Sequence, residues 1–149
     1  MSLKVSTSRF GMIDTEEGQV ITLPGGVIGF SEQKRYILKD HKEGTPFLWL
    51  QSLDVASLAF VLIDPGIFES SYKVDLSPED RAALALNNGG TADEVRTFVI
   101  VNLSGGPPAE ITANLLGPIV INVSKRLGKQ VILYGGPWSH RHPIPVAEQ

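Results

Sequence analysis

The sequence predicts an all-β domain, a sandwich or a barrel, that carries one inserted α-helix. Short segments rich in Val, Ile, Leu and Phe recur between clusters of Gly, Pro, Asn and Asp, which is typical of folds built from many short strands. One stretch combines the residues that start and stop a helix. No repeat of fixed period occurs, and the length of 149 residues fits a single domain.

Ten segments have the composition of strands. The segment 97–103 is apolar almost without interruption, which predicts a strand buried on both faces. A loop follows it, because the glycines and prolines of 104–108 cannot sustain a strand ladder. The last two segments form a predicted hairpin with Gly128 at positive φ. In chain order the predicted strands are 2–7, 10–13, 19–23, 35–39, 46–53, 58–63, 97–103, 110–116, 118–123 and 129–134.

The stretch DLSPEDRAALALNNGG predicts the helix, over about residues 78–87. Ser77 is placed to cap the N-terminus, Pro78 takes the first helical position, and two acidic residues follow in the first turn. The Asn-Asn-Gly-Gly run at 87–90 supplies the stop. Leu84 and its neighbours give the helix an apolar side.

The stretch EITANLLGPIVIN, residues 110–122, begins with the alternation of a strand that has one solvated face. Thr112 and Asn114 lie on that polar face. Gly117 and Pro118 are expected to interrupt the ladder and to bend the chain at a barrel corner. Two interpretations of Thr112 and Asn114 stay open: a solvated face with a side-chain hydrogen bond to a turn, or part of a binding interface.

No pattern of catalytic or metal-binding residues is found. The absence of cysteine excludes disulfides, thiolate nucleophiles and cysteine-based metal sites. His140 and His142 are spaced like residues on one side of a strand, but no third ligand lies nearby in sequence. Nucleophile-elbow, phosphate-loop and zinc-helix motifs do not occur. We therefore expect no catalytic residue, no cofactor and no metal, and not an enzyme.

The charge is unevenly distributed along the chain, whose formal net charge is −3. Residues 43–94 contain nine acidic and two basic residues, a surface that could attract a basic partner or simply be solvated. The basic turn at 125–129 is too small for general nucleic-acid binding. The N-terminus has no secretory signal and the longest apolar run, 60–63, is too short to span a membrane. These features predict a cytoplasmic protein without nucleic-acid or membrane partners.

Several segments together resemble a known family, the flagellar assembly factor FliW. They are FGMIDTEEGQVITLPGGVIGFSEQKRYIL at 10–38, TPFLWLQSLDVASLAFVLIDP at 45–65, TANLLGPIVIN at 112–122, GKQVIL at 128–133 and SHRHPI at 139–144. They occur in the family's order and cover nearly the whole chain. The sequence departs from the family pattern at Ile28, where proline is common, at Gly117, where alanine is common, and in the glycine-rich loop 103–109.

The resemblance implies a compact antiparallel β-barrel of residues 1–142, followed by a frayed tail at 143–149. It also implies two protein partners. One is CsrA, a small RNA-binding dimer that represses flagellin translation, and the other is flagellin before its export. In the implied mechanism flagellin and CsrA exchange on the factor, and RNA is displaced from CsrA allosterically. The alternative is a small β-barrel that binds RNA or another ligand directly.

An acidic surface for CsrA is our hypothesis for the binding site, since an RNA-binding protein presents basic residues. The acidic turn and the polar QSLD run that interrupts an apolar segment motivate the choice. Trp49 has two interpretations, packing in the core or in an interface. The candidate partner-binding residues are Asp14, Glu16, Glu17, Gln51, Ser52, Asp54, Thr112 and Asn114.

Overall fold

The computed structural model describes residues 2–8, 10–40, 46–86, 95–104, 110–133 and 136–144. Within these ranges the chain is mostly β with one short α-helix, as predicted. Two turns of 3₁₀-helix, Glu17–Gln19 and Pro65–Ile67, lie in connections. The strands are β1 Ser2–Thr7, β2 Gly11–Glu16, β3 Ile21–Thr22, β4 Arg35–Asp40, β5 Leu48–Ser52, β6 Ala59–Ile63, β7 Val95–Ser104, β8 Glu110–Asn122, β9 Leu127–Gln130 and β10 His142–Pro143, and the helix is α1 Pro78–Ala83.

Seven strands close into a barrel in the order β8-β7-β6-β5-β4-β3-β9, with β9 paired back to β8. All neighbouring pairs are antiparallel except β3 and β9, which run parallel and meet at the single pair Thr22 and Leu127. β1 and β2 form a separate hairpin, and β10 pairs with β8 outside the barrel. The predicted antiparallel barrel is thus confirmed.

β8 is bonded along both of its edges. β7 runs along one edge for its full length. On the other edge, β8 pairs first with β9 and later with β10. The chain that connects β9 to β10 is also bonded to β8: Val131 N donates to Pro118 O, Leu133 N donates to Leu116 O, and Leu115 N of β8 donates to Ser139 O.

The predicted break at Gly117 and Pro118 is a bulge inside one continuous strand, so the prediction of two separate strands is wrong. Phe98 of β7 faces Ile119, but Ile100 faces Asn114, so one residue of β7 spans four residues of β8. Pro118 has no N–H and cannot donate a hydrogen bond to β7. Because Pro118 lies within the bulge, the ladder with β7 does not require that hydrogen bond. Asn114 Oδ1 accepts the N–H groups of Leu116 and Gly117 at 3.0 and 3.2 Å.

Gln130 ties this bulge to the loop between β3 and β4. Its Nε2 donates to Gly117 O at 2.9 Å, and its Oε1 accepts the N–H of Ile28 at 2.8 Å. A Cβ atom on Gly117 would lie 2.8 Å from Gln130 Nε2, so a larger residue there would force the Gln130 amide to shift.

Apolar side chains fill the barrel and also cover two outer faces. The interior cluster includes Tyr36, Leu50, Phe98 and Ile119. Adjacent residues of β7 and β8 point outward into two further clusters, one around Ile63, Val99 and Leu115 and one around Leu84, Val120 and Val131. Burial on both faces explains the near-continuous apolar composition of both strands. It confirms the prediction for residues 98–101 of the segment 97–103, whereas Asn102 is exposed.

The helix begins as predicted and ends earlier. Ser77 Oγ accepts the N–H of Asp80 at 3.0 Å, so Ser77 is the N-cap. The helix ends at Ala83, and Ala85 takes a positive φ of 56°. Bonds from Ala85 N to Ala82 O and from Leu86 N to Arg81 O complete a Schellman motif. The predicted end at residue 87 is therefore wrong, and residues 87–90 lie outside the described part.

The hairpin between β8 and β9 also differs from its prediction. Arg126, not Gly128, has the positive φ, at 53°. Gly128 lies close to Leu23: a Cβ atom there would be 3.2 Å from Leu23 Cδ1, so that side chain would have to give by a few tenths of an ångström. β9 begins at Leu127, two residues earlier than predicted, and ends at Gln130.

The C-terminal boundary lies later than the predicted start of the tail at residue 143. Pro143 pairs with Thr112 in the β10–β8 ladder, and Ile144 N donates to Ile111 O at 2.9 Å. Residues 145–149 lie outside the described residues. No helix in the described ranges is long and apolar enough to cross a membrane.

Asn114→Ala is expected to lower the free energy of unfolding by about 1–2 kcal/mol, because two backbone N–H groups of the bulge lose their acceptor. Asn102→Ala, at an exposed position of β7, is the matched control and should be near neutral. Chemical denaturation of both variants measures the difference. Equal stability of the two would contradict the structural role of Asn114.

Candidate protein-interaction surfaces

The β1–β2 hairpin presents the acidic residues selected from the sequence. Along β2 the half-buried Ile13 alternates with exposed neighbours, so Asp14 and Glu16 share an outward face, and Glu17 follows in the next turn. We call these three carboxylates the acidic hairpin end. Lys4, opposite Asp14 in the ladder, donates to its Oδ1 at 2.8 Å, which raises the pKa of Lys4. Both side chains are exposed, so the pair adds little stability.

Glu17 also borders a surface groove of about 380 Å³ that contains basic side chains, which we call the basic groove. Arg126 lies near the hairpin as well, with Nη2 3.5 Å from Gln19 Oε1. The surface around the acidic hairpin end is therefore mixed in charge rather than uniformly negative. The basic groove is lined by Leu3, Glu17, Val20, Thr22, Arg35, Lys125 and Arg126.

Gln51 and Ser52 are buried, so a partner cannot reach them in this structure. Gln51 Nε2 donates to the carbonyl groups of Ser52, Ala56 and Leu58. Ser52 Oγ accepts the N–H groups of Asp54 and Val55, both at 3.0 Å. The polar QSLD run thus organises the loop between β5 and β6, which explains its polarity without an interface.

Asp54 is the exposed member of this run. Its Oδ1 accepts from Arg35 Nη2 at 2.6 Å, and this hydrogen bond raises the pKa of Arg35. The N–H of Ser8 donates to Ala56 O at 2.9 Å and joins the hairpin to the same loop. The turn of the hairpin and the loop around Asp54 are therefore in contact.

Thr112 and Asn114 do not lie on a solvated face, so that part of the expectation is wrong. The predicted side-chain hydrogen bond from Asn114 to a neighbouring turn is confirmed. Thr112 is only 5% exposed, between Asn102 of β7 and Pro143 of β10. Asn114 is half-buried and bonded into the bulge. The bulge accounts for the polarity of Asn114.

The aromatic residues of the acidic middle region pack mainly against the barrel. Trp49 is half-buried and meets the ring of Phe10 edge-on at 6.0 Å between centroids. Tyr72 donates its hydroxyl to Leu115 O at 2.7 Å, and burial raises the pKa of Tyr72. Its ring meets Trp138 edge-on at 4.9 Å. Packing is therefore the main role of these rings in this structure.

A second groove, of about 600 Å³, was not anticipated from the sequence. It lies between residues 73–80 and residues 129–138, and we call it the edge groove. Lys129, expected in an exposed basic turn, forms an ion pair with Asp80 across it. The hydrogen bond from Lys129 lowers the pKa of Asp80; burial opposes this shift and hydrogen bonds from Ser77 support it.

The two C-terminal histidines do not converge on further ligands. His142 Nε2 lies 3.8 Å from Glu69 Oε1. His140 is exposed. In the described ranges no three side chains of His, Asp or Glu gather in a way that could hold a metal ion.

Fold and surfaces together define a small closed β-barrel protein with candidate binding surfaces on its outside. A family model described as FliW protein matches residues 4–144 of the chain. The chain belongs to the FliW family of flagellar assembly factors.

Individual relatives agree with this assignment. The flagellar assembly factor FliW of Geobacter sulfurreducens is 43% identical over 142 residues, covering 95% of this chain and 86% of that protein. The flagellar assembly factor FliW of Natranaerobius thermophilus is 40% identical over 145 residues, covering 95% and 92%. A crystal structure of the flagellar assembly factor FliW matches with a TM-score of 0.84 and 35% identity, covering 95% and 96%.

Acid is expected to weaken the fold partly through Asp80. Its folded-state pKa lies below the unfolded value of about 4, so the carboxylate stabilises the fold at neutral pH and loses this effect as the pH falls through the folded-state pKa. Asp80→Asn should cost on the order of 0.5–1 kcal/mol at pH 7 and less at pH 3.

Denaturant unfolding at both pH values measures this loss. Asp75→Asn, in the same groove, is the matched control and should keep the wild-type difference between the two pH values. An Asp80→Asn protein with the wild-type difference would show that the ion pair does not stabilise the fold.

Proposed function

We propose that the chain is a cytoplasmic regulatory binding protein without enzymatic activity, which antagonises CsrA and binds flagellin. The observation that carries the CsrA part is the acidic hairpin end, which places three exposed carboxylates on the separate β1–β2 hairpin of a FliW-family barrel. Flagellin binding rests on the family resemblance.

Charge complementarity supports CsrA as the partner at the acidic hairpin end. A protein that binds RNA presents cationic surface, and exposed carboxylates steer such a partner during diffusional encounter. Lys4, which pairs with Asp14, and the basic groove that Glu17 borders reduce this attraction locally. Of the original candidates, Asp14, Glu16, Glu17 and Asp54 remain exposed, and we retain these four as contact residues.

Partner switching follows if flagellin and CsrA exclude each other on the barrel. Unsecreted flagellin occupies the protein, CsrA is released, and CsrA represses flagellin translation. Export of flagellin frees the protein, which binds CsrA again and displaces the RNA, so translation resumes.

Titration of the purified protein with CsrA and with flagellin, each followed by calorimetry, tests this function. We expect micromolar or tighter binding to each, and release of flagellin messenger RNA from CsrA when the protein is added. Absence of binding to both partners at micromolar concentrations would overturn the proposal.

Charge reversal tests the acidic hairpin end itself. The double variant Glu16→Lys and Glu17→Lys should slow association with CsrA at low salt, and added salt should reduce the difference from wild type. The control, Asp75→Lys with Glu79→Lys, carries the same charge change at residues 73–80. Stopped-flow association rates decide the matter: equal rates for wild type and the hairpin variant at low salt would reject this placement.

Direct binding of an anionic ligand is the second candidate function, and the basic groove is the observation that favours it. Arg35, Lys125 and Arg126 line it together, and cationic side chains bind phosphate groups. RNA retained by the protein in the absence of CsrA would support this alternative. RNA retained only through CsrA would support the regulatory function.

A further inference from the structure

We propose that the basic groove binds a compact anionic ligand with one or two phosphate groups. This site is independent of the proposed exchange of CsrA and flagellin. It differs from direct RNA binding because the ligand is a small molecule rather than a strand. The evidence is a set of three cationic side chains that meet in one groove, two of them without a carboxylate partner in the described ranges.

The closure of the barrel brings these cations together. Arg35 of β4 lies directly opposite Thr22 of β3 in the ladder, and Thr22 N donates to Arg126 O at 3.0 Å. Because Ile21 and Leu23 are buried in the barrel interior, the side chain of Thr22 between them points outward. Residues directly opposite each other share a face of the sheet, so the side chain of Arg35 lies on the same outer face. The turn between β8 and β9 supplies the other two cations.

The cationic groups of the groove have donors that the fold does not use. Among the described residues, no carboxylate pairs with Lys125 or Arg126. Arg126 Nη2 makes a long contact of 3.5 Å with Gln19 Oε1. Arg35 donates to Asp54 through Nη2, and a guanidinium has further N–H groups to offer. Within the described ranges, most of these donors are therefore open to a ligand.

The groove has a local excess of positive charge on a chain whose formal net charge is −3. Its lining contains three cations against one carboxylate, that of Glu17, and Glu17 forms no ion pair with them in the described part of the chain. Guanidinium forks and an ammonium group are the side-chain groups that bind phosphate oxygens. A phosphate monoester carries about two negative charges at neutral pH, which matches the excess.

The surroundings of the groove favour a compact anion over a long one. Asp14 and Glu16 lie on the same hairpin as Glu17, and Asp54 lies beside Arg35. A polyanion that ran past the groove would meet these carboxylates and be repelled. The lining residues that the structure describes include no aromatic ring on which a base could stack. The volume of about 380 Å³ is that of a small-molecule site.

Titration with diphosphate, followed by calorimetry in a phosphate-free buffer, tests this site. We expect a Kd of about 1 mM or tighter at low salt, and weaker binding as salt is added. The double variant Lys125→Gln and Arg126→Asn removes two of the cations, and asparagine tolerates the positive φ at position 126. It should bind diphosphate about tenfold more weakly or worse, because it loses two charged hydrogen-bond donors.

The control, Lys73→Gln with Arg141→Gln, removes two exposed cations that do not line the basic groove. It should bind diphosphate within about twofold of wild type, because distant charges are screened. Equal weakening in the two double variants would show that diphosphate responds only to net charge, and would overturn the site. Absence of binding to the wild-type protein at low-millimolar diphosphate would overturn it as well.

Amide chemical shifts of the wild-type protein locate the ligand without any variant. Diphosphate should shift the amides of Thr22, Lys125 and Arg126 and leave those of Lys73 and Arg141 in place. Shifts confined to residues outside the groove would contradict the assignment.

Two longer anions separate a compact ligand from a polymer. A single-stranded oligonucleotide and a glutamate-rich peptide, at the same concentration of anionic groups, should each bind more weakly than diphosphate. Tighter binding of the oligonucleotide would replace the compact ligand by RNA, and tighter binding of the peptide would replace it by an acidic protein segment.

Discussion

The hydrogen bonding of β8 along both edges is the constraint on which the structure depends. Its pairing with β7 and β9 closes the barrel, and its pairing with β10 holds the C-terminal segment. A strand bonded on both sides and covered on both faces must be apolar almost throughout, which is the character of β7 and β8. The bulge at residues 115–118 allows one strand to carry Gly117 and Pro118 without a gap in the barrel wall.

A filled interior directs binding to the outside of the barrel. Tyr36, Leu50 and Phe98 are fully or almost fully buried in the interior cluster. Two features on the outside remain for contact with protein partners: the separate β1–β2 hairpin, and the groove between residues 73–80 and 129–138. These two surfaces differ in chemistry, since one is rich in carboxylates and the charges of the other balance in sign. The proposed exchange of two partners can use such a division.

Local rules predicted the elements whose causes lie within a few residues. The cap at Ser77 and the burial of residues 98–101 on both faces are examples, since capping and periodicity are local properties. The errors arose where the local pattern does not show which conformation or partner a residue takes. The helix ends at Ala83 because Ala85, which is not a glycine, takes a positive φ, and the carbonyl of the C-cap Leu84 accepts from Asn122, 38 residues away. The polarity of Gln51 and Ser52 suggested an interface, because the sequence does not show which backbone groups these side chains bind. In the structure Gln51 donates to loop carbonyls and Ser52 accepts from loop N–H groups.

Gln130 gives a common cause to two departures of this chain from the pattern that the FliW resemblance implies. Proline at position 28 would have no hydrogen to donate to its amide oxygen, and alanine at position 117 would force its amide nitrogen to shift. The three positions are therefore physically coupled through one side chain. A movement of that amide would be felt at once in the loop before β4 and in the bulge of β8, two places that are far apart in the sequence.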